Sequence, residues 1–297
     1  MVTNRDWVSM GTYRGIAEAN ERIVADGWYA APSGTAVLIG DLVAAACAGT
    51  VSYGPDDLDV LLGDAVRGSA ETRVEVTGES SMSAARRLYD EGADRIAVLN
   101  FASARNAGGG YLRGARAQEE DLCRVSALYT TLRQAPDFYA AHRASRDPAY
   151  SHRVIYSPDV PVYRDTRYRL LGAPYRVSFL TSPAPNAGVI ARDRPADLTA
   201  VPELLAERAS RVLAVAAHHG RRSLVLGAWG CGVFRNDPAQ VAAAFRHNLT
   251  DGGEFADVFE RIVFAVLDTP AGRSNLAAFR SAFSADPVAP TSLGSRR

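Results

Sequence analysis

Two short groups of residues within 99–132 have the types and spacing that chemistry on a sugar requires. Three consecutive glycines at 108–110 are followed, after seven residues, by Gln-Glu-Glu at 118–120. Three glycines in succession have a high entropy in the unfolded chain, so they are expected where the backbone adopts positive φ or lies close to a ligand. Adjacent glutamates at a loop-to-helix junction suit a sugar, because one can bind hydroxyls while the other exchanges a proton at the anomeric carbon.

The acidic group also has a purely structural explanation, and the segment excludes two nucleotide-binding classes. Acidic residues in a first helical turn complement the helix macrodipole and are common. The glycine loop contains no lysine and matches neither the P-loop pattern nor G-x-G-x-x-G, which argues against a kinase or a nucleotide hydrolase. A dehydrogenase is excluded for a similar reason, since acids at this helix start would repel the pyrophosphate of a nicotinamide cofactor.

A second glycine-rich turn occurs in LVLGAWGCGVFRNDP at 224–238. It follows an apolar run and precedes a capped helix, so it should leave the same edge of a parallel sheet as the first loop, and two such loops can hold a diphosphate. Taken alone, it is equally well explained as a tight strand-to-helix turn. Cys231 has no neighbouring histidine or base, so a small buried residue is favoured over a nucleophile. Phe234 belongs either to the core or beside a ribose.

Together these segments resemble the bacterial-type poly(ADP-ribose) glycohydrolases, a macrodomain family. The resemblance is carried by GGG, seven residues and QEE, preceded by NFASARNA and followed by LCRVSALY, and by GAWGCGVFRNDP, SPDVPVYRD and SFLTSPAPN. It covers about residues 70–270. It implies an α/β/α macrodomain that binds ADP-ribose and hydrolyses the ribose–ribose O-glycosidic bond of poly(ADP-ribose) from the chain end. Many relatives have proline where this chain has Ala107, a departure expected to loosen the loop without removing the chemistry.

The resemblance also implies roles for individual residues. Glu120 is the general acid/base, which protonates the departing ribose oxygen and then activates water, and Glu119 orients the ribose hydroxyls. Apart from the resemblance, Glu79 is a guess for the adenine end because it follows the β-rich run RVEVTG at 73–78. The predicted substrate-binding residues are Asn106, Gly108, Gly109, Gly110, Gln118, Gly230, Cys231, Gly232, Val233 and Phe234. No cofactor or metal is implied.

Two alternatives remain open at this point. The first is a mono-ADP-ribosyl hydrolase that acts on a modified protein or nucleobase, because the acceptor side is recognised by loops without a clear pattern. The second is a non-catalytic ADP-ribose-binding macrodomain, against which the intact Gln-Glu-Glu argues. The predicted partners are therefore poly(ADP-ribose) or an ADP-ribosylated protein as substrate and ADP-ribose as product.

These residues need elements that place them, and the chain alternates β-rich runs with helical patterns. Apolar runs at 95–102, 223–230 and 261–268 alternate with helices, including a helical face predicted from Gln118 to Leu132. We therefore expect a three-layer α/β/α sandwich with an N-terminal helical extension. The predicted divisions are a mainly helical accessory segment at 1–70, a catalytic domain at 71–284 and a flexible tail at 285–297.

Composition sets the remaining limits. The 297 residues include 33 basic and 33 acidic side chains and 47% hydrophobic residues, which is typical of a soluble globular protein without the basic excess that nucleic acids or anionic membranes attract. Three dispersed cysteines and five histidines show no disulfide framework and no metal-ligand spacing. With no apolar run of signal-peptide or membrane-spanning length, a cytoplasmic monomer is expected.

Overall fold

Alternating apolar strands and helices build a sheet that is covered on both faces. A computed structural model describes residues 12–63, 68–250, 252–268 and 274–284. The strands, in chain order, are β1 (Trp28–Ala30), β2 (Ala36–Leu38), β3 (Val51–Tyr53), β4 (Arg73–Thr77), β5 (Ile96–Phe101), β6 (Val154–Arg164), β7 (Leu170–Ser182), β8 (Ser223–Leu226) and β9 (Arg261–Ala265). The α-helices are α1 (Tyr13–Asp26), α2 (Gly40–Ala48), α3 (Pro55–Gly63), α4 (Ser81–Asp90), α5 (Gln118–Val125), α6 (Leu128–Leu132), α7 (Pro136–Ala144), α8 (Ala187–Asp193), α9 (Val201–His218), α10 (Pro238–Leu249) and α11 (Ser274–Phe283).

Seven of the strands form one mixed sheet, in the spatial order β3-β6-β7-β5-β8-β9-β4. The five strands from β7 to β4 pair in parallel, whereas β3, β6 and β7 pair antiparallel at the other side. The central strand β5 therefore has parallel neighbours on both sides, its first five residues are buried, and its sequence is largely apolar, as is typical of such a strand. β1 and β2 form a separate antiparallel hairpin.

The two faces of the sheet support two hydrophobic cores. Along β5, Ile96 and Val98 point into one core with residues of α1, α2, α4, α5 and α7, while Ala97 and Leu99 point into the other with residues of α9, α10 and α11. This alternation follows from the two-residue period of side chains along a strand. The predicted three-layer α/β/α architecture is confirmed.

One helix prediction was wrong in its boundaries. The helical face predicted from Gln118 to Leu132 is interrupted at Ser126, whose backbone is extended (φ −140°, ψ 175°) and bridges Val162 of β6. The apolar period continues across this break because both α5 and α6 face the same core. The first helix ends at Asp26, since Gly27 adopts the left-handed conformation (φ 74°) and β1 follows.

The N-terminal segment is integrated with the rest of the fold. Its last strand, β3, is an edge strand of the main sheet, and Ala17, Ile39 and Val43 belong to the core that also contains α5. The boundary at residue 70 stays a prediction. The predicted tail at 285–297 lies outside the described residues.

Candidate active site

Gln118 holds the start of α5 against the end of β5. Its side-chain amide donates to the carbonyl of Leu99 at 2.7 Å and to the hydroxyl of Ser81 at 3.1 Å, and its Oε1 accepts from the N–H of Phe101 at 2.9 Å. These bonds fix the first turn of α5 relative to the sheet, so Gln118 braces the site. A direct contact of Gln118 with a ligand stays a prediction.

Glu120 is buried, and one of its two carboxyl oxygens has no hydrogen-bond partner among the described residues. Glu120 is 7% exposed, and its Oε1 accepts a hydrogen bond from the N–H of Gly110 at 2.8 Å. Oε2 is also buried and has no hydrogen-bond partner among the described residues. Buried carboxylate oxygens without partners are costly, so this atom marks a place where a ligand group would bond.

Glu119 is held from the sheet side, and its carboxyl group also lies near the glycine loop. Oε2 accepts from the N–H of Ser103 at 2.7 Å, and Oε1 accepts from Nδ2 of Asn100 at 3.3 Å. Burial raises the pKa of Glu119 to about 8, the nearby Glu120 adds to the rise, and these hydrogen bonds act against it. Glu119 therefore holds its proton near neutral pH.

The triple glycine is required by conformation and by close approach. Gly108 and Gly109 have φ of 64° and 58°, the left-handed region expected from the sequence. A Cβ at Gly109 would lie 2.5 Å from Oε1 of Glu120, and a Cβ at Gly110 would lie 2.5 Å from the Cβ of Ala115. The loop can therefore wrap closely around the carboxylate only because it has no side chains here.

The second glycine loop leaves the same edge of the sheet, as predicted. β8 pairs in parallel with β5, so the loops that follow them are neighbours. Trp229 is buried and its Nε1 donates to the carbonyl of Ser182 at 2.9 Å. Asn236 donates through Nδ2 to the carbonyls of Pro185 at 2.8 Å and Gly230 at 3.1 Å, which closes the loop on itself.

The other predicted residues of this loop differ in exposure. Phe234 is half-buried, and its ring centroid lies 5.8 Å from that of Tyr150. Val233 is 84% exposed, and a Cβ at Gly232 would meet no atom within 4 Å. Cys231 is half-buried, and burial raises its pKa to about 12, so its thiol is protonated at neutral pH and is a poor nucleophile.

Asn106 lies on the exposed part of the first loop. Its carbonyl accepts from the N–H of Gly109 at 3.0 Å and thereby closes the turn that leads into the glycines. The structure thus brings Asn106 to the loop that encloses Glu120, while the predicted role of its side chain stays open to test.

The candidate for the adenine end borders a cleft. A cleft of about 460 Å³ beside α5 is lined by residues that include Glu79, Ser81, Asp121, Tyr168 and Leu267. Ser81 accepts the hydrogen bond from Gln118, which connects the cleft to the brace described above. Glu79 also pairs with Arg87 at 2.9 Å, so its carboxylate is already oriented at the rim.

Sequence reasoning missed several residues that build the site. Asn100 is 0% exposed and bonds to both Glu119 and Thr181, and Asn236 closes the second loop. A signal for Asn100 was present, because it is the polar residue in the otherwise apolar run at 95–102. No comparable signal marked Ser103, which contributes a backbone N–H.

Together these contacts place two carboxyl groups side by side in different hydrogen-bonding surroundings. The Glu119 carboxyl group is neutral and lies between the strand and the loop. Glu120 lies against the glycine backbone, and one of its buried oxygens has no hydrogen-bond partner among the described residues. Such a pair can bind a sugar hydroxyl and move a proton at the neighbouring carbon. Within the described ranges, no group of three or more His, Cys, Asp and Glu side chains could hold a metal ion, and no helix is both long and apolar enough to cross a membrane.

Comparison with known proteins finds one family and several solved structures. The family described as microbial-type PARG, catalytic domain, where PARG is poly(ADP-ribose) glycohydrolase, matches residues 17–165. A structure of poly(ADP-ribose) glycohydrolase from Thermomonospora curvata bound to the inhibitor ADP-HPD is 53% identical, with a TM-score of 0.86 over 91% of this chain and 99% of that chain. The enzyme from Deinococcus radiodurans in complex with ADP-ribose is 50% identical, with a TM-score of 0.77 over 81% of this chain and 96% of that chain. No curated protein sequence matches the chain significantly.

Proposed function

Because the chain belongs to the microbial-type poly(ADP-ribose) glycohydrolases, we propose that it hydrolyses the terminal ribose–ribose O-glycosidic bond of poly(ADP-ribose) and releases ADP-ribose. The observation that supports Glu120 as the general acid/base is the arrangement of its two carboxyl oxygens. One of its oxygens is fixed by the Gly110 N–H, and the other is buried beside the glycine loop with no hydrogen-bond partner in the part of the chain that the structure describes.

The mechanism uses one carboxyl group twice. Glu120 in its acid form donates a proton to the departing ribose oxygen as the bond from that oxygen to the anomeric carbon breaks, and the sugar develops oxocarbenium character. The resulting Glu120 carboxylate removes a proton from water, whose oxygen bonds to the anomeric carbon. Glu120 regains its proton, so the cycle closes without a cofactor.

Glu119 positions the sugar for this step. Its carboxyl group is held at 2.7 Å by the Ser103 N–H and carries its own proton near neutral pH. A neutral carboxyl can both donate to and accept from vicinal ribose hydroxyls. It also places no second negative charge beside Glu120 while that residue returns from carboxylate to acid.

The rest of the ligand extends along the carboxyl edge of β5 and β8. The glycine loops at 108–110 and 230–232 surround the diphosphate and the distal ribose, and Phe234 lies beside a ribose. The cleft beside Glu79 takes the adenine end, where a carboxylate suits an exocyclic amino group. The site is complete within one chain, which supports a monomer, and the free thiols of Cys47, Cys123 and Cys231 support a cytoplasmic location.

The decisive experiment compares Glu120→Gln with wild type. The amide keeps the size of the side chain but cannot deliver the proton, so release of ADP-ribose from polymer should fall by about 10³-fold, while ADP-ribose still binds in calorimetry. Glu203→Gln, an exposed change on α9, is the matched control and should retain wild-type rate. Near wild-type release by Glu120→Gln would overturn the catalytic assignment.

The same assay distinguishes the polymer from its rivals. Release from poly(ADP-ribose) is compared with release from a mono-ADP-ribosylated protein at equal concentrations of chain ends. Preference for the mono-modified substrate would replace the polymer assignment by mono-ADP-ribosyl hydrolysis. Binding of ADP-ribose with no release from either substrate would indicate a non-catalytic binding module.

A further inference from the structure

One face of the N-terminal helix α1 lies along the segment that carries the catalytic residues. Tyr13, Ala17 and Asn20 are spaced by about one helical turn, so they share a face. Each contacts the segment 108–125 at a different point. The contacts run from the loop after the glycines to the last turn of α5.

Asn20 caps the carboxyl end of α5. It is 1% exposed, and its Nδ2 donates to the carbonyl of Arg124 at 2.8 Å and to that of Cys123 at 3.4 Å. Its Oδ1 accepts from Nε of Arg164 at 2.7 Å. The last carbonyls of a helix have no partner within the helix, and a cation near them is favourable, so Asn20 satisfies these carbonyls and brings a buried guanidinium near the negative end of α5.

Tyr13 and Ala17 hold the loop that precedes α5. The guanidinium carbons of Arg124 and Arg116 lie 4.5 and 4.4 Å from the ring centroid of Tyr13. Ala17 accepts a hydrogen bond through its carbonyl from the hydroxyl of Tyr111 at 3.4 Å. The contacts of Tyr13 with Arg116 and of Ala17 with Tyr111 fall on the chain between the glycines and Glu120, whereas Arg124 follows Glu120 in α5.

The Tyr13 contact leads to the catalytic carboxylate through a chain of hydrogen bonds. Arg124 is fully buried and donates to the carbonyl of Ala115 at 2.8 Å. The N–H of Ala115 donates to the carbonyl of Gly110 at 3.1 Å, and the N–H of Gly110 donates to Glu120. α1 therefore supports Glu120 from both ends, through α5 itself and through the loop that bonds its carboxylate.

We propose that α1 positions the catalytic carboxylate by holding α5 and the loop that precedes it, with Asn20 as the principal positioning residue. The inference rests on the proposed function, in which Glu120 is the acid. α5 has only eight residues and ends at Ser126, so its own hydrogen bonds hold it weakly and its position depends on external contacts. A displacement of about 1 Å at a reacting group costs about 10²-fold in rate.

The test is steady-state hydrolysis of poly(ADP-ribose) by Asn20→Asp. The carboxylate keeps the size of the side chain and its bond to Arg164, but it cannot donate to the carbonyls of Cys123 and Arg124 and repels them. We expect kcat to fall by about 10²-fold while KM and the Kd for ADP-ribose stay near wild type. Glu18→Ala, which breaks the exposed pair with Arg14 on another face of α1, is the control and should retain wild-type kcat.

Two further results decide the matter. If Asn20→Asp does not fold, Tyr13→Leu, at a partly exposed ring, takes its place and should lower kcat with the same unchanged KM. Wild-type kcat in a folded Asn20→Asp variant would overturn the inference, as would equal loss of kcat and ADP-ribose affinity. Full activity of Glu120→Gln would instead refute the proposed function, so the two failures are distinguishable.

Discussion

Glu119 and Glu120 are the same residue type at adjacent positions, and their surroundings assign them different tasks. Glu119 accepts hydrogen bonds from Asn100 of β5 and from Ser103 just after it. Glu120 accepts one from the glycine loop, and its other carboxyl oxygen has no hydrogen-bond partner among the described residues. Successive residues of a helix point about 100° apart, so the two carboxyl groups meet different hydrogen-bond donors, although both lie near Gly109. Two neighbouring carboxyl groups with separated environments are typical of acid–base catalysis on sugars.

The raised pKa of Glu119 gives stability a defined dependence on pH. Its folded-state pKa of about 8 lies above the usual value of 4.5 for a glutamate, so the folded protein keeps a proton that the unfolded chain releases. Wild-type stability should therefore fall as pH rises from about 5 to about 8, where the loss levels off. Glu119→Gln removes this titration.

Thermal unfolding of both proteins across this range tests the prediction. The Tm of Glu119→Gln relative to wild type should increase with pH. In wild type, Glu119 ionises in the unfolded chain and stays protonated in the folded protein, which favours unfolding as pH rises, and the variant lacks this group. Glu203→Gln should show a difference from wild type that does not change with pH. A constant difference for Glu119→Gln would contradict a raised pKa at this position.

At the level of elements, the site depends on where two loops leave the sheet. β5 and β8 are parallel neighbours, so the triple-glycine loop and the loop with Trp229 emerge side by side. The second loop is anchored at two points, since Trp229 donates to the last residue of β7 and Asn236 donates to Pro185 beyond it. Phe234 projects from this anchored loop.

Phe234→Ala should weaken ADP-ribose binding more than folding. The ring is half-buried and contacts the ring of Tyr150, so its removal lowers the stability of the fold somewhat. The effect on ligand affinity should be larger, because a bound ribose would lose its whole contact with this ring. We expect the Kd for ADP-ribose, measured by calorimetry, to rise by about tenfold, or about 1.4 kcal/mol. Phe283→Ala, a partly buried ring stacked on Phe264, is the control and should lower Tm without changing Kd. An unchanged Kd for Phe234→Ala would return this ring to the core.

For the whole molecule, the absence of net charge limits how it can hold a polyanion. The chain has 33 basic and 33 acidic side chains, so it has no general attraction for a polymer with two phosphates per unit. Recognition of one terminal unit in a local pocket fits this balance better than binding along many units. The edge location of the site, between two anchored loops, suits a chain end.

This balance predicts a weak dependence on salt and on chain length. The logarithm of kcat/KM plotted against the logarithm of salt concentration should have a slope no steeper than about −2, because only the phosphates of one unit release counterions. At equal concentrations of chain ends, long and short polymers should give the same kcat/KM. A steep slope that grows with polymer length would indicate contacts with many units.

The sequence by itself determined the local chemistry and the layer architecture. The glycines, the adjacent glutamates and the apolar strands predicted the two loops, the acid pair and the α/β/α sandwich, because backbone freedom, side-chain chemistry and burial are properties of each residue and its near neighbours. The cap of α10 by Asp237, predicted in this way, is also present, with Oδ1 accepting from the N–H of Ala239 at 2.7 Å.

Only the tertiary structure decided how those parts are held. The contacts of Asn20 with Arg124, of Arg124 with Ala115, and of Asn100 with Glu119 join residues whose partners are set by packing, and the first spans 104 positions of sequence. The break of the helix at Ser126, forced by its pairing with Val162, had no local signal either. Interactions between distant segments depend on the complete packing of the chain, and this is why the support of Glu120 by the N-terminal helix could be read only from the fold.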